Sequence, residues 1–198
     1  MIKKVKIAIL ISGRGSNMKS IIDACKNEDY PAEVVLVLSN KQEAIGLQYA
    51  SLNNITTLVI DHKKYKDNRE EFDRAMHSRI QASGAQIICL AGFMRLLSPW
   101  FVNKWFNKIV NIHPSLLPDF KGSNAVGDAL KAGVKDSGCT VHMVREEMDS
   151  GPIIMQSKVA ILKDDDKENL AQRILYEENI IYPKALKIVC EKFLNNNL

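Results

Sequence analysis

Val5 to Lys26 reads VKIAILISGRGSNMKSIIDACK, an apolar run that halts on two glycines and then takes up a helical pattern. A strand is predicted over 5–12. It is apolar at successive positions, as in a strand covered on both faces of a parallel sheet. A helix is predicted over 17–26. The loop between them turns tightly, and its backbone N–H groups lie at the positive end of a helix dipole, which favours phosphate. The alternative is a plain strand-to-helix turn with Ser16 or Asn17 as N-cap. A dinucleotide site fits badly. Met18 stands where a third glycine belongs, and the second strand ends in Ser39-Asn40 where a ribose-binding acid belongs. A monophosphate suits the loop better.

The alternation continues along the chain. Strands are predicted over 32–40, 56–61, 85–92 and 108–113, with helices near 44–53, 68–82, 98–106 and 124–132. Strands over 139–144 and 153–162 follow, and a long helix begins near Lys167. Phe72, Met76 and Ile80 form an apolar stripe suited to covering a sheet. Such alternation predicts one α/β domain over 1–198: a mostly parallel, twisted sheet of about seven strands with helices on both faces. The last two strands are joined only by the turn signal DSGP, so antiparallel pairing is predicted for them.

The chain has 198 residues, long enough for one sizeable core, and a net charge of +4 without a basic block. Nucleic-acid binding is not indicated. No apolar stretch reaches membrane-spanning length, since IICLAGFMRLL is interrupted by Arg95. The N-terminal apolar run lacks a small-residue cleavage site and reads as a strand rather than a signal peptide. Cys25, Cys89, Cys139 and Cys190 are widely spaced, as expected of buried thiols in a reducing cytosol.

The fifth strand ends in KIVNIHPSLLP, Lys108 to Pro118. Asn111 and His113 are two residues apart and so project to one face, with Val110 and Ile112 on the other. In parallel α/β sheets ligands lie beyond the carboxyl ends of strands, and this pair lies at such an end. Asn offers an N–H to a developing oxyanion, and His suits proton transfer near neutral pH. No Ser or Cys sits in a nucleophile-elbow context, which argues for direct transfer without a covalent intermediate. Asp149 precedes the Ser150-Gly151-Pro152 turn and could be only a turn residue. Glu146 and Glu147 read as solvated charges. On the last helix, Glu178 falls in the stripe of Leu170, Ile174 and Ile181; a carboxylate there pairs with a cation, marks a site, or lies where the helix end is exposed. His142 shares a face with Thr140 and Val144, as a core or supporting residue. His62 and His77 read as surface residues.

Six stretches, LISGRGSN, AGFMRLLS (91–98), VNIHPSLLP (110–118), GCTVHMV (138–144), MDSGPII (148–154) and ENIIYP (178–183), occur in this order over nearly the whole chain. Together they resemble the folate-dependent glycinamide ribonucleotide formyltransferases of purine biosynthesis. The resemblance implies a Rossmann-like formyltransferase fold, with the ribonucleotide phosphate in the N-terminal half and folate-binding loops in the C-terminal half. By it, Asn111, His113 and Asp149 match the catalytic trio. Gly15, Ser16 and Asn17 match the phosphate loop, and Leu175, Tyr176, Glu177 and Glu178 match the segment receiving the glycinamide end. Arg69, Met94, Arg95, Leu96, Leu97, Arg145, Glu146, Glu147 and Met148, with Asn111 and Asp149, match the folate-binding positions. The implied co-substrate is 10-formyltetrahydrofolate, with no metal, in a cytoplasmic monomer or homodimer acting on small molecules. Asp149 is then expected to favour the charged form of His113, as a nearby opposite charge does. The sequence departs from some members in KGSNAVGDAL (121–130), where a histidine-containing version is familiar, and in Arg14 between the glycines.

Rival readings are weaker. A methionyl-tRNA formyltransferase is expected to carry a further carboxy-terminal domain. A formyltetrahydrofolate hydrolase is expected to carry a further amino-terminal domain and a histidine in place of Pro114. A non-catalytic nucleotide-binding module would bind a phosphorylated ligand without a folate site near Arg95. A NAD-dependent oxidoreductase is disfavoured by the missing glycine and acid.

Overall fold

The computed structural model describes residues 3–66 and 68–196. Seven strands form one sheet in the order β3-β2-β1-β4-β5-β6-β7. Strands β1 (Val5–Ile11), β2 (Ala32–Ser39), β3 (Thr57–Val59), β4 (Ile87–Leu90) and β5 (Ile109–His113) run parallel. β7 (Ile153–Ala160) pairs antiparallel with β6 (Asp136–Met143), as the helix-free DSGP turn predicts. β6 also runs antiparallel to β5, although helix α5 (Ala125–Ala132) lies between them in sequence. The chain leaves β5 through a long loop and returns along β5 in the opposite sense.

Period-two alternation divides the apolar residues between two cores. Val5, Ile7, Ile9, Ile11, Cys89, Val110 and Ile112 face α1 (Ser16–Cys25), α5 and α6 (Lys167–Leu194). Ala8, Leu10, Ile88 and Ile109 face α3 (Arg69–Ala82) and α4 (Pro99–Lys104). Phe72, Met76 and Ile80 of α3 are all buried there, as the stripe predicts. Burying one such side chain is worth about 1.5–3 kcal/mol. Among the described residues no helix is long and apolar enough to cross a membrane.

Two features aim the sheet at its ligands. Chain order reverses at β1, whose neighbours β2 and β4 leave in opposite directions, and in open α/β sheets ligands bind beyond the carboxyl ends of the strands at such a reversal. In α6, Tyr182 is fully buried, and its hydroxyl lies 3.0 Å from both the Leu90 and the Val110 carbonyl oxygens. The helix bearing Glu178 is thereby seated on the strands that end at the site.

Candidate active site

The β1–α1 loop is shaped by a backbone-to-backbone approach. Gly15 has φ +73°, and a Cβ on it would lie 3.1 Å from the Gly46 Cα. A Cβ on Gly46, the first residue of α2 (Gly46–Leu52), would lie 2.8 Å from the Ile11 Cδ1 and 3.2 Å from the Arg14 carbonyl oxygen. The Gly46 N–H donates to the Gly13 carbonyl at 3.1 Å. Gly15 itself is the N-cap and α1 starts at Ser16, so neither Ser16 nor Asn17 caps the helix. Asn17 lies in the first turn and is buried. Its Nδ2 donates to the Glu178 carboxylate at 2.7 Å, while its Oδ1 has no partner among the described residues.

Glu178 is buried with Leu170, Ile174 and Ile181 on one face of α6. Burial pushes its carboxyl up to about 7, against the opposing pull of the Asn17 bond. Tyr176 and Glu177 diverge from it because successive helical residues point about 100° apart, whereas Leu175, three residues back, keeps to the same side. Leu175 is half-buried, Tyr176 is exposed, and Glu177 accepts from the Ser157 hydroxyl at 2.7 Å. Tyr176 and Glu177 line an open groove of about 690 Å³ with Lys158, Asp165 and Arg173, away from Asn111, His113 and Asp149. Within this groove Asp165 and Arg173 pair with each other.

Asn111, His113, His142 and Asp149 converge at the end of β5. The antiparallel register sets Asn111 opposite His142 and His113 opposite Thr140. The Asn111 Nδ2 lies 3.2 Å from the His142 Nε2, and the His142 Nδ1 lies 3.0 Å from the Met143 carbonyl oxygen. A carbonyl only accepts, so His142 carries its proton on Nδ1 and receives the Asn111 amide on Nε2. Burial lowers the His142 pKa, outweighing the Met143 bond and the Asp149 charge, which raise it. The ring is therefore neutral, and the 3.7 Å approach of its Nε2 to Asp149 is no ion pair.

His113 differs. Its Nε2 lies 2.9 Å from the Phe120 carbonyl oxygen, and its Nδ1 lies 3.4 Å from the Asp149 Oδ2. The Phe120 carbonyl only accepts, so Nε2 carries a proton, while Nδ1 faces the carboxylate. Asp149 has φ +51° and accepts the Gly122 N–H at 2.9 Å. Its loop is pinched at the neck, where the Met143 N–H donates to the Pro152 carbonyl. A Cβ on Gly151 would come within 1.7 Å of the Met143 oxygen, so only glycine permits the approach. The loop after His113 is held by Thr140, whose hydroxyl donates to the Ser115 carbonyl (2.6 Å) and accepts the Leu117 N–H (3.0 Å). The Gln156 side-chain amide donates to Thr140 and to the Leu117 carbonyl.

Around this centre, Met94, Leu96 and Met148 expose apolar side chains. Arg69 is exposed at the start of α3, Leu97 is half-buried, and the Arg95 guanidinium lies 6.0 Å from the Phe72 ring centroid. Arg145 is committed elsewhere: its guanidinium donates to Asn107 at 2.7 Å and the Val144 carbonyl at 2.9 Å, and stacks over Phe106. It anchors the 145–149 loop. Glu146 accepts from Asn103, and Glu147 pairs with Lys121 at 3.3 Å; both are exposed.

His62 and His77, read as surface residues, are half-buried and hydrogen-bonded: His77 accepts the Trp105 indole N–H at 3.1 Å, and His62 meets the Asn40 carbonyl at 2.9 Å. The Phe120 carbonyl, the Gly122 N–H and the Thr140–Gln156 brace were missed, because backbone groups carry no residue-type signature. Thr140 had a signal, its shared face with His142. The four thiols are unpaired. Three are buried and Cys25 is partly so; burial pushes Cys25, Cys139 and Cys190 up to about 12.

Residues 5–186 match the formyl transferase family model. The chain is 48% identical to a trifunctional purine biosynthetic protein of Homo sapiens over 94% of its own length, but spans only 18% of that longer protein. It is 43% identical to the phosphoribosylglycinamide formyltransferase of Haemophilus influenzae, covering 92% of this chain and 85% of the relative. Glycinamide ribonucleotide transformylase 1 from Symbiobacterium toebii superposes with a TM-score of 0.92 at 42% identity, covering 95% and 88% of the two chains. With the loop, strand end and buried carboxylate in place, the chain belongs to the formyl transferase family, among the phosphoribosylglycinamide formyltransferases.

Proposed function

We propose that this chain transfers the formyl group of 10-formyltetrahydrofolate to the amine of glycinamide ribonucleotide, giving formylglycinamide ribonucleotide and tetrahydrofolate. The observation that carries this reading is the convergence of Asn111, His113 and Asp149 with a neutral His142 at one strand end. The relatives' names support the substrates.

Each residue has a chemical part. The β1–α1 loop offers the N–H groups of Ser16 and Asn17 to the phosphate. Glu178, ionised when the ammonium arrives, holds the amino end and takes the one proton that frees the amine. The amine then forms a C–N bond to the formyl carbon. Asn111, with its amide turned by His142, offers its second Nδ2–H to the developing oxyanion, and doubly protonated His113 stabilises the same charge. One such donor is worth about 2.7–4 kcal/mol. Asp149 balances the imidazolium. The C–N10 bond then breaks as one proton passes from the amine to N10, so hydrogen and charge balance with no covalent enzyme intermediate. Met94–Leu97 and the 145–149 loop flank the folate. The substrates are small molecules.

The test mixes purified protein with both substrates and follows tetrahydrofolate release. Release that depends on the ribonucleotide is expected. Equally fast release without it would make the protein a hydrolase and overturn the reading.

A further inference from the structure

The segment from Met94 to Ser98 lies between β4 and α4 and belongs to neither. Among the described residues, the backbone N–H and C=O groups of Arg95, Leu96 and Leu97 make no hydrogen bond. A stretch with six free backbone groups stays in one shape only if something holds its ends. At one end, the Met94 N–H donates to the Ser12 hydroxyl at 2.8 Å. That hydroxyl spends its own proton on the Asn40 Oδ1 at 2.6 Å, which leaves a lone pair aimed at Met94. At the other end, the Ser98 N–H donates to the Asp73 Oδ2 at 2.6 Å. Ser98 in turn caps α4, accepting the Phe101 N–H.

We infer that Ser12 and Asp73 are positioning residues, which pin the two ends of Met94–Ser98 and present its free backbone edge to the flat heterocycle of the folate. This rests on the proposed function, because it assigns the folate to this side of the cleft. Neither residue touches the reacting atoms.

Asp73 is too expensive a residue to be there for packing. It is fully buried on α3 beside Phe72 and Met76, and a buried carboxylate persists only where partners offset its lost hydration. Its Oδ1 has no partner among the described residues, and neither has the buried Nε of Arg95. Burial raises the Asp73 pKa, and the Ser98 bond and the charges of Arg69 and Arg95 oppose that rise. Asp73 therefore joins one backbone donor and two cations to the wall on which the heterocycle lies. Met94 and Leu96 present their apolar side chains on the same segment, which suits the ring faces.

The experiment compares Asp73→Ala, Asp73→Asn and Ser12→Ala with the wild-type chain. It measures KM for each substrate separately, thermal unfolding, and amide hydrogen exchange at Met94 and Ser98 without ligand. Asp73→Ala is expected to speed exchange at Ser98 and raise the folate KM about 10- to 100-fold, the scale of a hydrogen bond to a charged group. The ribonucleotide KM should stay within about twofold, since these bonds lie outside its pocket. Asp73→Asn, which keeps an acceptor oxygen, should fall between; Ser12→Ala should act on Met94 in the same direction. Unchanged folate KM in the folded variants overturns the inference. So does a parallel rise of both KM values with falling Tm, which marks a general loss of structure. Should Asp73→Ala fail to fold, the other two variants decide the matter by the same criteria. If the wild-type chain shows no formyl transfer, the proposed function falls, and exchange at Met94 and Ser98 still tests the pinning by itself.

Discussion

Asn111 and His142 meet across the β5–β6 ladder, with the amide nitrogen 3.2 Å from an imidazole that buries its other nitrogen against its own strand. The antiparallel register makes this pair unavoidable. It also makes the amide's orientation depend on an uncharged ring.

Removing Asn111 should therefore cost more than removing its support. Asn111→Ala is expected to lower kcat by about 10²–10³-fold, as for an oxyanion donor. His142→Phe should lower it about tenfold, the scale of one net hydrogen bond. Steady-state kinetics on both variants checks the order. A larger loss in His142→Phe would make the imidazole a reacting group.

The same ring predicts a pH effect. The His142 pKa is lowered from its ordinary 6.5, so below 6.5 the unfolded chain takes up a proton that the folded one refuses. Stability from this site is complete above 6.5 and is lost as pH falls from there toward the folded value. Protonation also removes the lone pair that turns Asn111. The acid limb of kcat should lie below 6.5 in the wild type and change shape in His142→Phe; superimposable pH profiles would refute the link.

Asp149→Asn keeps an acceptor for the Gly122 N–H but removes the charge beside His113. Turnover should fall about 10²–10⁴-fold in this variant and in His113→Ala, while each remains folded. Near-normal turnover in both would end the assignment of the trio.

Glu178 runs the opposite way in pH. Its carboxyl is raised from 4.5 to about 7, so between those values the folded chain holds a proton that the unfolded chain has released. The contribution is full below 4.5 and is lost as pH rises through about 7. Glu178→Gln removes this loss: its Tm should exceed the wild type by about 2–4 °C or more at alkaline pH and match it in acid. The KM for the ribonucleotide should rise about tenfold or more through the lost charge. Equal Tm values at both extremes would contradict the buried proton.

Gly46→Ala places a methyl 2.8 Å from the Ile11 Cδ1 and 3.2 Å from the Gly15 Cα. Urea unfolding should show a loss of about 1–3 kcal/mol, typical of overpacking. The displaced loop should raise the ribonucleotide KM more than the folate KM.

The elements were legible because apolar period survives in a single sequence. Strands over 5–12 and 32–40 and the α3 stripe lie where spacing put them. Strand direction leaves no such trace, and the reversal of β6 against β5 was hidden by the helical pattern of α5. Asn111 and His113 were readable from alternation alone, since a strand cannot send i and i+2 to different faces. Asp149 carried no local signal beyond a turn; only resemblance marked it, and its role depends on a loop neck closed 2.9 Å from β6. Glu178 and Asp73 are the same kind of anomaly, a carboxylate on a buried helical face. Glu178 stands out in the sequence and Asp73 does not, because the α3 apolar stripe reads correctly without it.

The Tyr182 hydroxyl between the Leu90 and Val110 carbonyls bears on how the two substrates are brought together. It rivets the helix that carries the amino-end receptor to the strands that carry the oxyanion donor, so both halves of the cleft belong to one stiff body. Those two bonds oppose a clamshell motion between them. Enclosure of the reacting carbon then falls to the short connecting segments at the rim, and the distance across the floor is set when the chain folds.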